Sequence, residues 1–310
     1  METLEVIGKL PARERRFDVR ELLAFSAIYF LWGATFLAIR VAVLEIPPFF
    51  TAGVRFSTAG ALLYFFMRLR GQPAPSAQQW RGIAVIAVCM FVVTYAAIFW
   101  AEQFVPSGIT AVLEATLPLI AMVLEVFVFR RQPFRWRMLI AVALGFSGIV
   151  LLLWSDTGRS FGVFPCLVIL AGSIAWTLGA VLTRSMSLPQ SVPLAAGAEM
   201  MLGGIVLLAL AFVTGELHPF PHIPLRAAVA LLYLIVGGSL VAFTAYVWLL
   251  ARMPATRVAS HAYVNPLVAV ALGYFMGGEV VTPRMLFASV LVIASVFIIL
   301  KPPSVTEGSN

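Results

Sequence analysis

Charge is what this chain has least of. Only 11% of its residues are Asp, Glu, Lys or Arg, while 61% are hydrophobic and the mean hydropathy is +0.99. Soluble domains carry roughly 25% charged residues, so a water-soluble globular domain is excluded. Cysteine is scarce as well. Cys89 and Cys166 both fall within apolar stretches, where packing is expected rather than a disulfide or a metal site. No Walker A motif occurs, so direct ATP drive is not expected. His218 and His222 are four apart, but Pro219 and Pro221 break the helix that would align them on a metal. No cofactor is expected.

What the chain does have is long apolar runs. Segments of about 20 residues, enough to cross a bilayer, are predicted at 21–40, 48–67, 82–101, 106–129, 138–154, 161–183, 191–213, 227–250, 255–278 and 285–300. The expected fold class is an all-α integral membrane protein with ten transmembrane helices. The net charge of +7 suggests no nucleic-acid partner once the basic residues are placed. With the N-terminus in the cytoplasm, 16 of the 21 Lys and Arg lie in cytoplasmic segments. Only Arg40, Arg159, Arg226 and Arg284 lie at outer ends, which follows the positive-inside rule. Both tails, 1–20 and 301–310, are then cytoplasmic and the protein sits in the cell inner (cytoplasmic) membrane. The first tail has no apolar core followed by a small-residue cleavage site, so no removable signal peptide is expected.

The chain also repeats itself. Trp32 and Arg40 recur as Trp176 and Arg184, and Gly53 and Gly60 as Gly197 and Gly204, each 144 residues on. Trp100, Pro106 and Pro118-Leu119 recur as Trp248, Pro254 and Pro266-Leu267 at an offset of 148, and Arg137-Met138-Leu139 as Arg284-Met285-Leu286 at 147. The units are 21–154 and 161–300. Five spans per unit is an odd number, so the second copy is expected upside down in the membrane. Inverted repeats of this kind belong to secondary transporters, whose substrate site lies near the midplane between the halves.

The Trp32-Gly33 region, Val54-Arg55-Phe56, Pro118-Leu119 and Asn265-Pro266-Leu267 followed by Gly278-Glu279 resemble the EamA-type, ten-helix members of the drug/metabolite transporter superfamily. The resemblance runs from about Glu21 to Lys301. It departs where the family commonly has Gly-Glu after its fourth helix, since Arg130-Arg131-Gln132 stand there. It implies a basket of helices with a central cavity lined mainly by spans 1, 3, 4, 6, 8 and 9. It also implies export or exchange of small metabolites, amino acids among them, or of drugs.

The residues that carry chemistry cluster on those spans. His261 and Asn265 share a helix face, and Pro266 next to them removes a backbone donor. The fourth span repeats the design with Glu114 four residues before Pro118. Polar groups of this kind are costly in lipid and useful in a cavity. Candidate substrate contacts are Trp32, Tyr95, Phe99, Glu114, Trp176, Tyr246, His261, Tyr263 and Asn265. The aromatics also fit plain helix packing, and for Trp100 and Trp248 an aromatic belt is the simpler expectation. Arg55 lies inside the second span and its repeat mate is Glu199, of opposite charge. These two, with Glu114, Pro118 and Pro266, are candidates for coupling or gating. Glu125 is expected in an ion pair near Arg130 and Arg131, and Arg40 is expected to snorkel to headgroups.

The expected activity is secondary transport of small metabolites, such as amino acids or related amphipathic compounds, by alternating access. The partners are a small-molecule substrate and the bilayer, with protons as a candidate coupling ion and a monomer or homodimer as the assembly. The rival readings are drug or cation efflux, and an enzyme acting on lipid-linked substrates. The enzyme reading is disfavoured because the acids are scattered over different spans.

Overall fold

A computed structural model gives the fold of residues 18–130, 134, 136–153, 162–250, 252–253, 258 and 260–300. Most of both tails, the loop with Asp156, Gly158 and Arg159, and Arg131, Arg135, Pro254 and Arg257 lie outside the described residues.

Among the described residues all regular structure is helical. Eight helices are long and apolar enough to cross a membrane: α1 (Val19–Val43), α2 (Pro48–Leu69), α3 (Ala77–Ala101), α4 (Ser107–Val128), α5 (Trp136–Leu153), α6 (Val163–Leu182), α7 (Val192–Val213) and α8 (Leu225–Leu249). Two further helices follow, α9 (His261–Phe275) and α10 (Pro283–Leu300). The expected start of the third span at residue 82 is corrected to Ala77. A capping box starts it there: Gln79 N donates to Ser76 Oγ (3.3 Å) and Ser76 N to Gln79 Oε1 (2.8 Å). Hydropathy alone passes over that polar first turn.

Several helices are not regular throughout. π-Helical stretches occupy Ala27–Leu31 in α1, Ala87–Val93 in α3, Leu124–Val128 in α4 and Leu234–Val241 in α8. The stretches in α3 and α8 fall at matching places in the two units, since 87 and 93 plus 148 give 235 and 241. α4 is also broken outright. Its first piece ends at Glu114, Ala115 and Thr116 form a turn, and a second piece starts at Leu117.

Glycine decides the closest packing. α2 and α7 lie against each other, with Gly53 facing Leu208, Gly60 facing Met201, Gly204 facing Ser57 and Gly197 facing Tyr64. Partner numbers fall along α7 as they rise along α2, so the two helices run antiparallel. A shift of 144 turns the Gly53–Leu208 contact into Gly197–Tyr64, and Gly60–Met201 into Gly204–Ser57. At Gly60 and Gly204 a Cβ would press on the backbone of Met201 and Ser57, which is why only glycine fits there. α5 packs on α10 at the edge, α3 on α6, and α1 on α8 and α9, while α4 touches both α6 and α9. One apolar core lies among α1, α2, α3, α7 and α8 (Phe56, Phe99, Met200, Leu207) and a second among α3 to α6 and α10 (Val112, Leu113, Ile169, Val292).

Candidate functional site

Most of the predicted site residues fall into two groups. In the first, α1, α8 and α9 bring Trp32, Tyr246 and His261 together. The Trp32 ring lies 5.2 Å from that of Tyr246 and 5.2 Å edge-on from that of His261, and Tyr246 and His261 stack at 5.8 Å. Trp32 Nε1 donates to the Gly238 carbonyl (2.9 Å), within the π-helical stretch of α8. π-Helical turns displace carbonyls from regular helix bonding, and a tryptophan N–H satisfies one of them here. The same logic explains Asn265. With its amide nitrogen turned toward α1, its two N–H groups are shared among Ile28 O (3.1 Å), Tyr29 O (3.2 Å) and His261 O (3.2 Å). Ile28 and Tyr29 belong to the π-helical stretch of α1. Tyr233 Oη donates to a third carbonyl of that stretch, Leu31 O (2.8 Å). Asn265 therefore locks α9 to α1, with its donors engaged by backbone. The Nδ1 atom of His261 is buried and has no hydrogen-bond partner.

The second group belongs to α2, α3 and α6. Tyr95 packs against Phe56 (4.3 Å), Trp176 (6.0 Å) and Phe99 (6.2 Å). Arg55, 3% exposed, lies over the rings of Phe56 (4.6 Å) and Tyr95 (5.4 Å), and its Nε donates to Ser239 Oγ across to α8 (3.0 Å). Its Nη1 is buried without a partner. A guanidinium held on aromatic faces keeps part of its stabilisation without a carboxylate. Glu199, its repeat mate, is buried on α7 and is not paired with it. Glu114 stands at the end of the first piece of α4 and accepts from Ser173 Oγ (2.5 Å), three residues before Trp176. The break that precedes Pro118 thus sets a carboxyl one helical turn from the second aromatic group.

Tyr263 joins neither group. It turns to α10, with its hydroxyl donating to Val296 O (3.3 Å) and its ring 6.1 Å from Phe297. Pro266 is buried inside α9, which continues through it to Phe275. The expected snorkelling of Arg40 is corrected: its guanidinium turns inward and donates to the Glu102 carbonyl. Glu125 is paired with Arg184, in the turn just past α6 (2.8 Å), a partner its neighbours in sequence did not suggest.

Three further carboxylates stand at helix ends, in roles not expected from the sequence. Glu279 accepts from Ser107 N (2.7 Å) and Gly108 N (3.1 Å), capping α4 from the far end of the chain. Glu216 does the same for α2 through Phe49 N (3.3 Å) and Phe50 N (2.8 Å). Both helices begin just after a proline, and each receives a carboxylate where its orphan amides and dipole favour one. Burial pushes the Glu216 carboxyl up, and the two amide bonds hold it partly down. Glu102, just past the end of α3, is fully buried. Burial pushes its carboxyl well above the usual range, the Glu279 charge adds to this, and Arg40 and the Thr110 hydroxyl oppose it. The signal for these three was a lone acid beside a helix end, visible only once the partner helix is known.

A cavity of about 500 Å³ opens at the end of the bundle where α1 stops and α4 starts. Leu37, Arg40 and Glu279 are among its lining, and none of the predicted substrate residues is.

A bundle of apolar helices with buried carboxyl, imidazole and guanidinium groups inside its spans is the make-up of an integral membrane protein whose interior handles polar chemistry. The chain belongs to the EamA-like transporter family, whose model matches twice, at residues 20–154 and 163–301. It is 37% identical over 283 residues to the inner membrane transporter YedA of Escherichia coli (strain K12), covering 89% of this chain and 90% of that one. A chloroplastic WAT1-related protein of Arabidopsis thaliana is 26% identical over 297 residues (91% of this chain, 69% of that one), and protein PecM of Dickeya dadantii (strain 3937) is 25% identical over 278 (86% and 89%). A crystal structure 21% identical in sequence superposes with a TM-score of 0.63 over 91% of this chain and 98% of that one, which shows the shared fold. The protein is thus a membrane transporter-family protein of the inner membrane.

Proposed function

We propose that the protein is a secondary transporter that exports or exchanges small metabolites, amino acids or related amphipathic compounds, by alternating access between two inverted five-helix units. The observation that carries this reading is the α2–α7 interface. Its contacts repeat under the 144-residue shift, and the two helices are antiparallel, as a two-fold axis in the membrane plane requires. The matched π-helical stretches of α3 and α8 and the double family match support the same duplication. On this reading α9 and α10 also cross, making ten spans, and both termini are cytoplasmic.

The two aromatic groups then face the pathway as its apolar and stacking surfaces. Trp32, Tyr246 and His261 serve one half, Tyr95, Phe99 and Trp176 the other. Glu114 is the coupling carboxyl, placed where a helix break leaves it bonded only to a serine hydroxyl. Arg55 and Glu199 hold the halves rather than the substrate. No residue set here suits catalysis better than transport, and drug or cation efflux with Glu114 as counter-charge is the second reading. Counterflow in proteoliposomes, over amino acids, other metabolites and cationic drugs, with and without a pH gradient, tests it on wild type and Glu114→Gln. Gradient-driven movement in wild type alone supports coupling at Glu114. Equal exchange by both proteins, blind to the gradient, makes the carboxyl structural. No flux of any compound by folded protein removes the transport reading.

A further inference from the structure

We propose that the cavity at the α1 C-terminal end of the bundle is an anion site that takes a phosphate or carboxylate group on Arg40, Arg226 and Arg284. Arg40, Arg226 and Arg284 line it from three separate elements: the last turns of α1, the first turn of α8 and the first turn of α10. One acid, Glu279, stands among the lining residues, and both of its oxygens are already engaged by the Ser107 and Gly108 amides. The lining therefore carries a clear excess of positive charge. Neither Arg40 nor Arg226 forms an ion pair among the described residues.

The volume, about 500 Å³, is that of a small-molecule site. Guanidinium forks hold carboxylate and phosphate oxygens in pairs, which makes arginine rather than lysine the informative residue here. A fourth contribution comes from α10, an 18-residue helix whose Arg284 and Met285, with Thr282 just before its start, line the cavity. Thr282 Oγ1 accepts from Met285 N (3.2 Å), so the helix end is built and its positive dipole end adds to the guanidiniums. Gly277 and Gly278 shape the same wall. A Cβ at Gly277 would meet Leu37 at 2.8 Å, and Gly278 has φ +66°. That turn is what returns Glu279 to α4 and leaves the cavity open between them.

This site is separate from the substrate groups proposed above. Arg40 is eight residues along α1 from Trp32, roughly 12 Å at the helical rise. Its occupancy is therefore measurable without any flux. Two sources offer the same chemistry, the phosphodiester of an anionic lipid headgroup or a soluble phosphate or carboxylate. Wild type, Arg226→Gln/Arg284→Gln and the remote control Arg70→Gln would be compared in phosphatidylcholine nanodiscs. Retention of added phosphatidylglycerol would be read by native mass spectrometry, and inorganic phosphate and malonate by thermal shift. Arg226→Glu, at an exposed position, is the second variant should the double one fail to fold. Wild type and Arg70→Gln should bind at least about tenfold more tightly than the cavity variants, the worth of one charge-assisted pair. Retained phosphatidylglycerol with no shift from the soluble anions assigns a lipid headgroup; a shift without retention assigns a soluble anion. Equal behaviour of wild type and cavity variants toward every probe overturns the site, as does an equal loss in Arg70→Gln.

Discussion

α4 and α9 carry the same proline at matched positions, and they resolve it in opposite ways. Pro266 is the sixth residue of α9, so the missing donor affects only the first turn and the helix runs on to Phe275. Asn265 just before it ties the disturbed turn to the displaced carbonyls of α1. Pro118 falls in the middle of α4, where the helix cannot absorb it. The first piece stops at Glu114, and Pro118 becomes the second residue of a new helix, a place that suits a residue without an N–H. α4 is capped at Ser107 by Glu279; the residue matching Ser107 in the second unit, Ala255, lies outside the described residues. A duplicated motif therefore yields a break that presents a carboxyl in one half and a lock that binds two helices in the other.

The largest effect is expected where the two halves cannot differ. Gly204→Leu would drive a side chain into the backbone of α2 at Ser57, and overpacking a backbone contact costs about 3 kcal/mol or more. Size-exclusion chromatography in detergent should show aggregated or absent protein. Next, Pro118→Ala should let α4 heal and carry Glu114 out of its place. On the proposed transport reading, counterflow falls at least about tenfold, while Pro266→Ala, early in its helix, changes it less than about twofold. Equal effects from the two substitutions would erase the contrast between the helices.

Asn265→Ala should lower stability by about 1–3 kcal/mol, since it strands displaced carbonyls in a buried contact. Thermal unfolding checks this, and an unchanged midpoint would show that the amide is not the lock. The smallest effect concerns Glu102. Its carboxyl is raised in the folded protein, so the folded state binds its proton more tightly than the unfolded chain does. That contribution is full at low pH and lost as pH rises through the folded-state value. Wild type should lose stability as pH rises from the ordinary carboxylate range toward the raised folded-state value. Glu102→Gln should flatten that slope and raise the midpoint above that value by about 2 °C or more.

Much of this was legible in the chain. Apolar length determined the helices, because a bilayer admits no unsatisfied backbone, and the spacing of Trp32, Gly53, Gly60 and Pro118 against their mates revealed the duplication. The pairing of helix faces was not legible. Nothing local says that Trp32 meets Tyr246 and His261 while Tyr263 turns to α10, since all four lie on apolar helices of near-uniform composition. The π-helical turns were also hidden, as they answer partners from other helices such as Asn265 and Tyr233. Composition and periodicity determined what the chain is made of and where it lives. Only the tertiary structure decided which carboxylate caps which helix, which arginines share a cavity and which proline breaks its helix, because each depends on groups brought together from distant parts of the sequence.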